Sequence, residues 1–135
     1  MSRLTLCSVL LLSAAMTACG NTPTVTTPTP DPITDVYQGT LTQNGADRFS
    51  FVTARAGQTD VRLVALTPTE AVIGRALGTF NSGTGVCQVV LTNDKATLNT
   101  VLSGQSDRAG NLCVRIYDEG TLTTAVDYQV QVVHF

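Results

Sequence analysis

An all-β domain of about eight antiparallel strands, folded as one sandwich or barrel, is predicted for residues 35–135 by three features of the sequence. Apolar residues recur mainly at every second position from Ile33 to Phe135, the period of a strand with one buried face. Gly, Asn and Asp interrupt that pattern at the short, regular intervals of sandwiches and barrels. No segment carries a convincing helical stripe; Glu70 to Leu77 comes nearest, but Gly74, Gly78 and β-branched neighbours oppose a helix.

The chain begins with a different kind of segment. Arg3 and the amino terminus are positive, Leu4 to Ala15 is apolar, and small residues follow, the pattern of a secretory leader over residues 1–18. The apolar run is too short for a membrane span, which needs about 20 residues. Met16-Thr17-Ala18-Cys19 resembles the lipobox of bacterial lipoproteins, with Met16 where leucine is usual. That resemblance implies cleavage before Cys19 and attachment of acyl chains such as palmitate there, anchoring the protein to the lipid bilayer. Gly20, rather than aspartate, follows Cys19, which by the lipoprotein sorting rule implies the outer membrane. Ordinary cleavage after Gly20 is the alternative, because Ala18-Cys19-Gly20 also satisfies the small-x-small rule. Residues 19–34 then form a disordered Thr/Pro linker, GNTPTVTTPTPDP at its centre. Such tracts favour extended polyproline II, so the spacer reaches about 40 Å.

Within the domain the expected strands are Val36–Gln43, Asp47–Ala54, Asp60–Leu66, Ala71–Phe80, Val86–Thr92, Thr97–Leu102, Leu112–Asp118 and Ala125–Phe135. Asn44-Gly45 is a hairpin signal joining the first two. Phe49 and Phe51 then face inward, with Arg48 and Ser50 outside. Ala56-Gly57-Gln58 turns the chain into the third strand, where Val61, Leu63 and Ala65 share a face opposite Arg62. Thr67-Pro68-Thr69 is a break. Asn81-Ser82-Gly83-Thr84-Gly85 lacks the lysine and spacing of a phosphate-binding loop and reads as a flexible connection. Leu112, Val114 and Ile116 form one apolar face, Val126, Tyr128, Val130 and Val132 another, and Asp118-Glu119-Gly120 turns between them.

Four cysteines are present. Cys7 leaves with the leader and Cys19 takes lipid, so Cys87 and Cys113 remain to form a disulfide in an exported chain. Zinc would need more soft ligands than these two and His134 supply. One conflict attends the bridge: Cys113 alternates with Leu112, Val114 and Ile116, whereas Cys87 shares parity with Val89 and Leu91. An edge position, a bulge, or a Cys87 still in the loop would reconcile them.

The charges exclude some functions. Eight Lys and Arg face ten Asp and Glu. The only lysine is Lys95, and Arg48, Arg55, Arg62, Arg75, Arg108 and Arg115 are scattered singly, which sets nucleic acid aside. His134, the only histidine, has no nominated triad partners and reads as a surface or satisfied strand-end residue. No D-x-D-x-D series exists; Asp118 and Glu119 come nearest to calcium ligands. There is no tryptophan for a sugar platform, though Tyr37, Tyr117 and Tyr128 leave one open.

Tyr37-Gln38-Gly39-Thr40-Leu41, Asp47-Arg48-Phe49-Ser50-Phe51, Ala56-Gly57, Ala109 to Ile116 with Asp118 and Gly120, and Tyr128 to His134 resemble the bacterial pre-peptidase C-terminal domain. The resemblance covers roughly Asp35 to Phe135. It implies a jelly-roll-like β-sandwich, appended in that family to secreted peptidases, not itself catalytic, and related to collagen-binding modules. Here the module is expected to stand apart from any peptidase. The expected function is a non-enzymatic envelope lipoprotein, without cofactor, presenting loops or an edge strand to a protein or glycan partner. The alternatives are a structural accessory to a separately encoded secreted enzyme, or a hydrolase with an unrecognised site, for which loss of turnover on changing His134 or Glu119 is the test; no catalytic residue is nominated.

Overall fold

A computed structural model describes residues 27–135. The expected leader over residues 1–18, Cys19 and the expected linker as far as residue 26 lie outside them. Eight strands follow: β1 (Ile33–Leu41), β2 (Ala46–Thr53), β3 (Gly57–Thr67), β4 (Ile73–Asn81), β5 (Val86–Ala96), β6 (Val101–Ser106), β7 (Gly110–Tyr117) and β8 (Val126–His134). Each corresponds to an expected strand. β1 starts at Ile33, two residues inside the expected linker, because Ile33 and Thr34 pair with His134 and Val133. The sixth strand starts later than expected. Thr97–Thr100 makes a turn instead, with Thr100 Oγ1 donating to Thr97 O at 2.6 Å and Asn99 at a φ of 66°.

The strands form two four-stranded antiparallel sheets, ordered β1-β8-β3-β6 and β2-β7-β4-β5. β1 pairs with β8, β2 with β7, β3 with β6 and β4 with β5, as though one long hairpin had been wrapped into a barrel-like sandwich. This is the jelly-roll arrangement. Of the connections between successive strands, only β4–β5 stays within a sheet.

That topology corrects the expected β1–β2 hairpin. Asn44 does take a positive φ of 57°, and Gly45 N donates to Thr42 O at 2.8 Å. The turn is there, but it carries the chain from one sheet to the other. Turn chemistry dictates only the reversal; which strand each arm then joins depends on distant pairing.

The core lies between the sheets. Val126, Tyr128, Val130 and Val132 of β8 are buried against Val114 and Ile116 of β7, Phe51 of β2, and Val61 and Leu63 of β3. Full burial of each such side chain contributes roughly 1.5–3 kcal/mol. β8 occupies an inner position, hydrogen-bonded to β1 on one side and β3 on the other. Ala65, expected to continue the inward face of β3, is exposed, and Leu66 is buried in its place. The register against β8 shifts between Leu63 and Ala65, and such an irregularity reverses the alternation beyond it.

Cys87 and Cys113 are bonded, with Cα atoms 5.8 Å apart. They belong to β5 and β7, which β4 separates in the sheet order. Gly78 of β4 explains the reach. It pairs with Cys113 on one side and Val89 on the other, at a register shift, and a Cβ there would overlap the Gln88 carbonyl. With no side chain in the way, the β5 backbone lies close over β4 and Cys87 reaches across. The conflict of parity is thereby resolved: Cys113 points away from the Val114 face and is nevertheless fully buried, while Cys87 sits on an edge strand beside a bulge.

Candidate interaction edge and neighbouring sites

β5 is a strand whose side chains find little cover. It forms one edge of its sheet, and of its eleven residues only Ala96 is buried. Val86, Val89, Val90 and Leu91 are exposed, Val90 at 68 %. From Val86 to Asn93 there is no charge; Asp94 and Lys95 follow at the far end. Edge strands present unpaired backbone groups and are ordinarily blunted by charge, proline or bulges. Here the protection consists of two register shifts, at Gly78 and between Ile73 and Arg75, and the Asp94-Lys95 pair of charges. Val89-Val90-Leu91 read in the sequence as part of a half-buried strand; its apolar character gives no sign that the strand is an edge.

A cleft of about 430 Å³ opens beside this edge, between the ends of the two sheets. Val90 and Leu91 form part of its wall, together with the end of β6 and the β6–β7 loop. A second, shallower groove runs past Phe80, Asn81, Thr84, Val86 and Gln88 at the β4–β5 hairpin.

Asp118 is placed at the other end of the sandwich, and its role is structural. Its Oδ2 accepts from Asn44 N and Gly120 N at 2.9 Å each; its Oδ1 accepts from Thr121 N, Thr121 Oγ1 and Leu122 N at 3.0–3.2 Å. Burial alone would raise its pKa, but these donors outweigh it and hold the carboxyl below its ordinary value. With both oxygens turned to N–H and O–H donors, none is directed at a cation. Glu119 is exposed beside it. Asp118 thus joins the two turns that the sequence marks separately, Asn44-Gly45 and Asp118-Glu119-Gly120, and Asp118 N in turn donates to Gly45 O at 3.0 Å.

His134 lies near the opposite end of β8, roughly 25 Å from that turn at strand rise. It is 2 % exposed rather than on the surface, against Phe51 at a ring distance of 4.8 Å. Nε2 meets Asp35 Oδ2 at 3.1 Å, and Tyr37 donates to the same oxygen at 3.3 Å. The fold therefore keeps His134 and Glu119 apart.

The tyrosines are engaged. Tyr37 stacks on Phe49 at 4.7 Å, and its hydroxyl is pushed up to about 12 by burial and then by Asp35. Tyr128, buried, donates to Asp47 Oδ2 at 2.5 Å. Tyr117 donates to Asp94, and burial followed by that contact raises it to about 12. All three hydroxyls are thus occupied by carboxylates of the domain.

One buried group is not among the candidate site residues that the sequence nominates. Arg75 shares the inward face of β4 with Ile73 and Leu77 and is fully buried. No carboxylate pairs with it among the described residues. Nη1 donates to Thr100 O at 2.8 Å and Nη2 to Thr100 Oγ1 at 3.3 Å. Desolvation lowers it to about 10, so it stays charged at neutral pH. Thr100 O also accepts from Leu63 N at 3.2 Å. Arg75 and β3 together hold the β5–β6 turn. In the sequence Arg75 is one of six arginines scattered through residues 35–135, and only its place between Ile73 and Leu77 at the strand period points inward.

No family model matches the chain, and no curated protein matches it. Among solved structures, the crystal structure of the Yersinia pseudotuberculosis-derived mitogen is similar, with a TM-score of 0.54 over 77 % of this chain and 87 % of that one. At 17 % identity the likeness is one of fold, and it agrees with a β-sandwich.

Proposed function

We propose that the protein is a non-enzymatic, lipid-anchored envelope module whose β5 edge receives a strand or loop of a protein partner. The observation that carries this reading is β5 itself: an edge strand of eleven residues, uncharged over most of its length, with Val86, Val89, Val90 and Leu91 in solvent. Main-chain pairing along such an edge supplies affinity, and alternate side chains supply selection. The engaged tyrosines favour a protein over a glycan. The motifs resembling the pre-peptidase C-terminal domain are those of a non-catalytic accessory, and a separately encoded secreted enzyme is one form the partner can take.

A photo-crosslinking residue at position 90 is expected to give a discrete protein adduct in intact cells. Val89→Lys should abolish it while leaving the melting temperature within a few degrees, because substitutions at exposed positions alter stability by about 0.5 kcal/mol or less. Position 52, 64 % exposed on β2 at the opposite edge of the same sheet, serves as the control. An adduct from position 52 and none from position 90 rejects the reading.

The anchor rests on Met1 to Cys19: a positive tip, a short apolar run, and Thr17-Ala18 before the cysteine. Its proposed outcome is an outer-membrane protein held off the bilayer by the Thr/Pro tract. Mass spectrometry of the membrane fraction is expected to find a mature chain beginning at Cys19 with diacylglyceryl and acyl groups. An unmodified chain beginning at Asn21 would overturn it.

A further inference from the structure

The cleft beside β5 has a chemistry of its own, independent of what pairs with the edge. Leu77, Val90, Leu91 and Leu112 give it apolar walls. The glycines bring backbone without side chains. At Gly104 the two sheets close together: a Cβ there would stand 2.6 Å from Leu77 Cδ2 and 3.1 Å from Leu91 Cδ1. The cleft's volume of about 430 Å³ is that of a small-molecule site.

The wall contains one buried polar group without a partner. Thr59 is 1 % exposed, on the inward face of β3, and its hydroxyl makes no hydrogen bond among the described residues. Nearby hydroxyls are satisfied: Ser106 Oγ donates to Gly57 O at 3.3 Å and Thr53 Oγ1 to Gly110 O at 3.2 Å. An unpaired hydroxyl in an apolar wall is costly where valine would fill the same space. The charged rim residues, Asp107 and Arg108, meet each other at 3.4 Å and are more than 80 % exposed. They offer nothing buried to an ionic ligand.

We propose that this cleft binds an uncharged, chiefly aliphatic small molecule whose inner end carries one hydroxyl or carbonyl group for Thr59. A hydroxyl both donates and accepts, so either group suits it. The apolar walls take the chain, and the absence of a buried charge rejects carboxylates and amines.

The test uses the full chain and the neutral fluorophore N-phenyl-1-naphthylamine, displaced by 1-octanol and by n-octane. Native protein is expected to enhance the dye's emission and to release it to both competitors. Thr59→Val should weaken 1-octanol about tenfold relative to n-octane, the loss of one hydrogen bond. The same variant should melt at or above the native temperature, since it removes an unpaired buried hydroxyl. Ala109→Trp, at an exposed position of the cleft's loop wall, should block both competitors with the fold intact. Failure of the native protein to bind the dye would overturn the proposal. So would an unchanged ratio of the two competitors in Thr59→Val, or a lowered melting temperature of that variant, which would reveal a structural partner for the hydroxyl.

Discussion

Removal of the Cys87–Cys113 bridge, by reduction or by paired change to alanine, is expected to lower the free energy of unfolding by about 3.5 kcal/mol. The bridge spans 26 residues of sequence, and the chain-entropy cost of a loop of that size gives this figure. For a domain near 100 residues the melting temperature should fall by about 15 °C. The loop is not an arbitrary one. It contains β5 from Cys87 onward and all of β6, an edge strand of each sheet, and it ties β5 to an inner strand of the same sheet. Freed from Cys113, β5 keeps only its pairing to β4, which is interrupted by two register shifts. Reduction should therefore also speed amide hydrogen exchange first in β5. Urea unfolding with and without reductant measures the first effect; a change below about 1 kcal/mol would show that the bridge does not constrain the unfolded chain.

Asp118→Ala is expected to cost about 3 kcal/mol, which is large for a residue in a turn. The carboxylate receives four backbone N–H groups and one hydroxyl, from two segments that are 74 residues apart. Alanine strands those donors, and each buried donor left unpaired costs about 1–3 kcal/mol unless water reaches it. Asp118→Asn keeps the shape but turns an NH₂ group toward N–H donors, so it recovers only part of the loss. Acid dependence separates the charge from the shape. The folded carboxyl titrates below its ordinary value of 3.8. Its stabilisation is therefore complete above that value and is lost as pH falls through the lower folded value, where the unfolded chain is already protonated. The slope of stability against pH below about pH 4 should flatten in Asp118→Asn, measured by urea unfolding across pH 2–6. An unchanged slope would mean that other carboxylates govern acid unfolding.

Local pattern in the sequence reveals the strands but not their partners. Val126, Tyr128, Val130 and Val132 announce a half-buried strand by alternation alone, and so do Phe49 and Phe51. Nothing in Asn44-Gly45 tells that its two arms separate into different sheets, since the same turn serves a hairpin equally well. The irregularity that exchanges Ala65 for Leu66 is invisible for a related reason: alternation presumes an unbroken register. The cysteine pair was legible by elimination, and its awkward parity pointed to the edge and bulge that the fold contains. The cleft was not legible. Thr59 continues the alternation of β3 with Val61 and Leu63, and only its surroundings reveal that its hydroxyl lacks a partner. Likewise β5 differs little in composition from the inner strands; its exposure follows from its place in the order.

The inner position of β8 also bears on when the chain can fold. Sheet β1-β8-β3-β6 has no middle until residues 126–134 arrive, because β1 pairs with nothing else and β3 lacks one neighbour. Before then the sheet β2-β7-β4-β5 and the β3–β6 pair are within reach, but β1 has no partner and the core lacks Val126, Tyr128, Val130 and Val132. A chain threaded amino terminus first through a translocon, as the proposed leader requires, thus emerges without a finished fold to obstruct its passage. Nested, long-range pairing makes folding slow, and the sandwich closes only when its last strand has joined.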